Sequence, residues 1–335
     1  MEDYQQSLVD QFFSPLSSLT EESCCRFALE KLSPVMWPGG HDKISIRPSS
    51  FQGSMSFTII VHRASIDESI VVQFRSEEED LSGVTEAHRI HGPLAPLVTY
   101  RGKYEDLFVY SSPFSPGTPY IEVLTSSKDL TLTHKTATIL DLADIISRDA
   151  KRHTQDPDTC LLNSIQSGIG GYIFQLPNLH SAIYTCIDHL RPRMQELTIL
   201  PLSLSHQDLS SFNYLIDDST GRITTVLDWS GAQYQPLGSN FHFVEDLLGY
   251  MTPTGWTYDE DRNTLEDSFY TRICENLQQQ HINSVNRELL EPQKAIGLLQ
   301  YYLERLLKLK DKRTELYLDG YLSGLTFMTQ AYNVE

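Results

Sequence analysis

The sequence predicts an α+β protein of two lobes, a small antiparallel-sheet lobe followed by a larger helical one. Three observations lead there. Residues 44–112 hold short β-rich segments that alternate polar and apolar side chains. Beyond about residue 125 the apolar residues recur at helical spacing. Between the two lies PFSPGTPY (113–120), the strongest linker candidate in the chain. The expected layout is a helical lead-in over 1–43, a sheet lobe over 44–112 and a helical lobe over 113–335.

Taken in order, TEESCCRFALEKL (20–32) opens on Thr-x-x-Ser and reads as a leading helix. SFTIIVHRA (56–64) and ESIVVQFR (68–75) read as adjacent strands turned by ASID (64–67). TEAHRIHGPL (85–94) reads as a helix stopped by Gly92-Pro93, and EDLFVYSS (105–112) as a further strand. In HKTATILDLADIISRDAKRH (134–153) the apolar residues at 139, 142, 143 and 146 share a helix face. SGIGGY (167–172) has no buried strand before it and reads as a loop between helices rather than a dinucleotide loop. The segment 296–332 reads as two further helices with an apolar stripe. NYLIDDSTGRITTVLDW (213–229) is the exception in the helical lobe: two short apolar strands flank Asp-Ser-Thr-Gly, which predicts a hairpin.

Composition excludes several classes. The apolar fraction of 40% and charged fraction of 21% describe an ordinary globular chain of 335 residues. No apolar run is long enough for a membrane-spanning helix. The acidic start MEDYQQSLVDQFF has neither a secretory nor a transit pattern. Five cysteines without a Cys-x-x-Cys pair then point to reduced thiols and a cytoplasmic location. A net charge of −18, from 26 basic and 44 acidic residues, argues against nucleic acid and anionic membranes as partners. The same balance suits a cationic small-molecule substrate. No Gly-x-Ser-x-Gly elbow supports a serine hydrolase. His88 and His91 lack a third ligand in sequence and read as surface histidines.

The chemistry concentrates in SLSHQDLSSFNYLID (203–217) and the VLDW that follows. His206-x-Asp208-x4-Asn213, a hairpin, and Asp228 supply what phosphoryl transfer requires. One carboxylate must orient or deprotonate the nucleophile, and an amide with a second carboxylate must hold Mg²⁺. Asp208 is the candidate base, Asn213 and Asp228 are the candidate metal ligands, and His206 is expected to tie the loop to backbone groups.

Around these residues, LSHQDLSSFNYLIDDSTGRITTVLDWSGAQYQPLG (204–238) resembles the catalytic segment of the aminoglycoside phosphotransferase and choline kinase-like family. FQGSMSFTIIV, IVVQFR and GYMTPTGWTYDED resemble segments of that family's fungal members, so the likeness spans roughly residues 45–275. The resemblance implies a protein-kinase-like fold, with ATP and Mg as cofactors. It also implies roles for residues of the sheet lobe. Gly53 and Ser54 would lie over the nucleotide phosphates, Glu86 would pair with a phosphate-binding cation, and Phe108–Ser112, with Val109 and Ser111, would form the adenine hinge. Two positions depart from the pattern. Gln73 stands where the family has its nucleotide-binding lysine, with Arg75 on the same strand face as a substitute, and Gln207 stands where the family has glycine.

The expected function is ATP- and Mg-dependent phosphorylation of a hydroxyl or amine on a small molecule. Trp256, Asp259, Glu260 and Asp261 are further substrate candidates, because that region approaches the acceptor in the family. The alternative is a kinase-like scaffold without phosphotransfer, one that binds a metabolite or catalyses a non-phosphoryl step such as a cyclisation in fungal natural-product biosynthesis. Gln73 favours that alternative.

Overall fold

The computed structural model describes residues 2–16, 18–38, 43–53, 55–126, 130–151, 169–176, 179, 181–309 and 312–324. The chain divides into two compact units between Pro116 and Gly117, inside the expected linker.

The first unit begins with three helices, α1 (Glu2–Phe13), α2 (Glu21–Phe27) and α3 (Ser33–Met36), the last two joined by a π-helical turn at Ala28–Leu32. The expected Thr-x-x-Ser start of α2 is a full capping box, with Thr20 and Ser23 each bonding the other's backbone N–H. Then come β1 (Ile44–Pro48), β2 (Ser56–Arg63), β3 (Glu68–Arg75), α4 (Ser82–His91), β4 (Thr99–Tyr104) and β5 (Leu107–Pro113). The strands form one antiparallel sheet in the order β1-β2-β3-β5-β4. Strand alternation sends Ile70, Val72 and Phe74 to one face, where they join Phe57, Ile59, Leu107 and Val109. The residues that cover this face are Val9, Phe12, Leu19, Cys24, Leu32 and Trp37. Residues 1–43 are therefore no separate lead-in, because the sheet buries its apolar face against them.

The second unit holds β6 (Thr118–Pro119), α5 (Tyr120–Thr125), α6 (Leu132–Ser147), a helical stretch at 169–175 and α7 (Ser181–Leu190). The strands β7 (Leu202–Ser205), β8 (Tyr214–Ile216), β9 (Ile223–Val226) and β10 (Gln233–Pro236) follow. The chain continues through α8 (Glu245–Leu248), β11 (Gly249–Thr252), β12 (Gly255–Tyr258), α9 (Arg262–Gln279), α10 (Arg287–Leu309) and α11 (Lys312–Ser323). The core of this unit is the apolar stripe of α7, α10 and α11, with Cys186, Leu299, Leu303, Leu318 and Leu322 all buried. Of SGIGGY, residues 169–172 are helical and not a loop, since Ile169 is drawn into this core. Among the described residues no helix is long and apolar enough to cross a membrane.

The hairpin expected over 213–228 is present as β8 and β9. Gly221 closes it at φ +71°, where a Cβ would stand 2.5 Å from the His134 carbonyl oxygen. Helix α6 holds the returning strand: Asp141 accepts the Ile223 N–H at 2.8 Å and Thr138 donates to the Gly221 carbonyl at 2.7 Å. The hairpin thus stands on a helix rather than in solvent.

Candidate active site

Strand β7, paired with β10, delivers the chain into the turn that carries His206 and Asp208. His206 is 2% exposed and its ring joins two chain segments. Its Nε2–H donates to the Leu227 carbonyl at 2.7 Å, and its Nδ1 accepts the Asp208 N–H at 3.0 Å. That pair of bonds requires the neutral ring, and burial pushes the His206 pKa below its ordinary value. The Trp229 ring meets the imidazole edge-on at 4.7 Å. His206 is thus a brace that locks the Asp208 turn to the end of β9. Gln207 lies exposed in the turn without a left-handed φ, so the turn needs no glycine there.

Asn213 reads the same turn from the other side. Its Nδ2 donates to the Asp208 carbonyl at 2.8 Å, which leaves the carboxamide oxygen as its remaining acceptor. The Leu227 N–H donates to the Asn213 carbonyl at 2.7 Å, so Asn213 and Asp228 sit at the same end of the hairpin. Asp228 is exposed and in the left-handed region at φ +57°, a conformation aspartate tolerates better than most residues. Ser230 donates to one of its oxygens at 2.7 Å. Meanwhile Asp208 Oδ1 is buried and accepts no hydrogen bond. The Asn213 carboxamide oxygen and the Asp228 carboxylate, at one end of the hairpin, are oxygen donors of the kind that fits Mg²⁺ and not a soft metal.

The surroundings of Asp208 include groups that the sequence patterns did not single out. Asp246, on α8, accepts from both the backbone N–H and the hydroxyl of Ser211, and from the Tyr321 hydroxyl at 3.4 Å. Burial raises its pKa from 3.8 to about 6, and the charge of Asp208 adds to the rise. Tyrosines crowd this acidic spot. Tyr302 and Tyr321 have ring centroids 5.3 Å apart, and Tyr120 stacks on Tyr214 at 5.1 Å. The Tyr120 and Tyr214 hydroxyls are buried without a hydrogen-bond partner. Burial, followed by the charge of Asp208, pushes the Tyr301 phenol up to about 12. Under α8 runs a buried ion network: Lys294 contacts Glu245 at 2.6 Å and Glu266 at 2.7 Å.

Two of the further substrate candidates have structural partners. Trp256 lies against Tyr321 with centroids 4.5 Å apart, and Asp259 pairs with Lys135. Asp261 precedes α9, and Glu260 is exposed.

In the first unit the expected nucleotide residues fall on two faces. Register pairs Gln73 with Tyr110 and Arg75 with Phe108 on the face away from the three leading helices. Val109 pairs with Phe74 and Ser111 with Val72, so both point to the opposite face. Val109 is fully buried there and the Ser111 hydroxyl accepts from Arg101 at 2.7 Å. The expectation of an adenine hinge at Val109 and Ser111 is therefore corrected. Both lie inside β5 with strands on either side, and their backbone groups serve the sheet. Arg75 lies 3.5 Å from Glu79 and shares its recess with Glu77 and Glu78, surroundings that oppose a phosphate. Glu86 takes two bonds from Arg89, each 2.8 Å. A Cβ on Gly53 would meet only Ser56 Oγ, at 3.5 Å. Ser54 lies outside the described residues.

No protein-family model and no curated protein matches the chain in sequence. Solved structures do match in shape. An ethanolamine kinase from Plasmodium vivax superposes with a TM-score of 0.56 at 13% identity, over 98% of this chain and 95% of that one. A choline kinase from Cryptosporidium parvum gives 0.52 at 13% identity, over 87% and 90%. A protein from Ralstonia eutropha assigned as an aminoglycoside phosphotransferase gives 0.58 at 13% identity, over 89% and 98%. The chain has the protein-kinase-like fold. Its neighbours in shape are small-molecule kinases, which matches the α+β architecture expected from the sequence.

Within this kinase-like fold, Asp246, Lys294 and the tyrosines are the groups that motif reading missed. One signal was available: Glu245-Asp246 is an acidic pair inside the apolar run FHFVEDLLGY. Two adjacent charges in such a run are costly to bury unless each has a partner or a task.

Proposed function

We propose that the chain is a phosphotransferase that uses ATP and Mg²⁺ to phosphorylate a hydroxyl or amine of a small molecule. One observation carries the reading: Asp208 keeps a buried, unsatisfied carboxylate oxygen while its backbone is held by His206 and Asn213. An orphaned carboxylate oxygen costs folding free energy, and an acceptor hydroxyl would satisfy it. Asp208 accepts the proton of the attacking hydroxyl or amine as the new bond to phosphorus forms. His206 fixes the direction of that carboxylate and stays neutral. Asn213 and Asp228 would hold the metal through oxygen. Bound Mg-ATP would supply the phosphoryl group and the neutralising charge, with ADP leaving as its bond to the transferred phosphorus breaks.

Asp246 and the surrounding phenol rings favour a positively charged acceptor, because they supply negative charge and aromatic faces without a lysine or arginine bonded to Asp246 among the described contacts. The net charge of −18 has the same sense. The test is ADP formation from Mg-ATP with a panel of amino alcohols, run beside Asp208→Asn. A wild type that forms no ADP with any of them, and none with water, would count against phosphotransfer.

A second reading rests on Gln73 and on the acidic recess around Arg75. With Gln73 uncharged and Arg75 paired to Glu79, the scaffold would bind a metabolite or run a non-phosphoryl step in a natural-product pathway. Calorimetry separates the two. A flat Mg-ATP titration at millimolar nucleotide selects the scaffold.

A further inference from the structure

The loop from β1 to β2 is pinned from two sides. Gln52, 8% exposed, uses its whole carboxamide inside the turn. Its Nε2 donates to the Ser49 carbonyl at 3.0 Å and the Thr58 carbonyl at 2.8 Å, and its Oε1 accepts the Thr58 N–H at 2.8 Å. The side chain thus stands in for the strand pairing that the turn interrupts. Its backbone N–H points the other way, to Gln5 Oε1 on α1 at 2.6 Å. Helix α1 is itself seated on the sheet, with Phe13 edge-on to Phe57 of β2 at 5.1 Å. The loop therefore takes its position from a helix 47 residues upstream.

Gly53 follows directly. Nothing in the chain's own packing demands a glycine there: φ is not left-handed, and a Cβ would make only an ordinary contact with Ser56. What glycine does supply is a bare backbone that a ligand can approach closely. A loop free to move would pay an ordering cost on each binding event, and a pinned one has paid it during folding.

We infer that Gln52 and Gln5 are positioning residues that hold the β1–β2 turn in the shape that offers the Gly53 backbone to the phosphates of the nucleotide. The inference rests on the phosphotransferase reading above. Neither glutamine touches the nucleotide. Gln52 acts by fixing the turn from within, and Gln5 by withdrawing the Gln52 N–H from competition and tying it to α1.

The experiment compares wild type, Gln5→Ala, Gln5→Glu and Gln52→Ala by Mg-ATP calorimetry and by hydrogen exchange of the segment 49–58. Gln5→Ala should speed exchange in that segment alone and weaken Mg-ATP by roughly fivefold, the worth of one hydrogen bond. Turnover at saturating nucleotide should stay unchanged. Gln5→Glu keeps an acceptor oxygen and should restore both readouts to within about twofold of wild type. Gln52→Ala should weaken binding by more than Gln5→Ala, and if it fails to fold the Gln5 pair still decides the matter. Unchanged exchange in Gln5→Ala overturns the inference, because the bond then holds nothing. Faster exchange with an unchanged Mg-ATP affinity also overturns it, because the turn is then no nucleotide contact. A wild type that does not bind Mg-ATP instead removes the phosphotransferase reading and the nucleotide half of this inference, while the exchange comparison still decides whether Gln5 holds the loop.

Discussion

Replacing Asp246 with Asn should stabilise the protein at alkaline pH and lose that advantage in acid. The carboxyl has a pKa raised from 3.8 to about 6, with burial as the main cause. A raised carboxyl pKa means that the folded state binds the proton more readily than the unfolded chain does. The stability linked to this group is therefore complete below the unfolded pKa and is lost as pH rises through about 6. At about pH 8 the ionised carboxylate costs about 3 kcal/mol relative to its unfolded state. Asn removes that cost but turns a donor toward Ser211 or Tyr321, which takes back about 1 kcal/mol. The net expectation is a gain of about 2 kcal/mol at about pH 8. By about pH 4.5 the wild type has recovered about 2 kcal/mol of its deficit, so the two proteins should be nearly equal there. Urea denaturation at the two pH values measures both differences. A difference independent of pH would refute the reasoning, because it would mean that Asp246 ionises normally. If the acceptor is cationic, the stabilised variant should also turn over more slowly.

Asp208→Asn should lower phosphotransfer by roughly 10²–10⁴-fold while leaving the circular-dichroism spectrum and Mg-ATP affinity near wild type. His206→Ala strands the part-buried Leu227 carbonyl and Asp208 N–H, and should cost about 2 kcal/mol by urea denaturation at about pH 8. Because the folded His206 pKa lies below its ordinary 6.5, the unfolded state protonates first as pH falls through about 6.5. Wild-type stability should therefore decline with acidification in that window, and less steeply in the variant, with buried His242 contributing the remainder. Lys294→Met leaves Glu245 and Glu266 buried without their shared cation, and should cost about 3–5 kcal/mol in the same assay. Adding Glu245→Gln should recover part of that loss, because one of the two stranded charges is then gone.

The local features were legible because each depends on residues close in sequence. The Thr20 capping box, the alternation in β3, the Gly221 turn and the His206–Asp208–Asn213 spacing each act within a few residues. Short-range geometry then leaves few choices. The part that only tertiary structure decided involves long separations. Strand register sent Val109 and Ser111 to the face opposite Gln73, which a motif alignment along one strand cannot reveal. Gln5 meets Gln52 across 47 residues and Asp141 meets Ile223 across 82. Asp246 gains its raised pKa only because folding removes water from it and brings the charge of Asp208 near. Solvent exclusion and charge proximity belong to the packed chain, so a carboxylate's chemistry could not be read from the residues beside it.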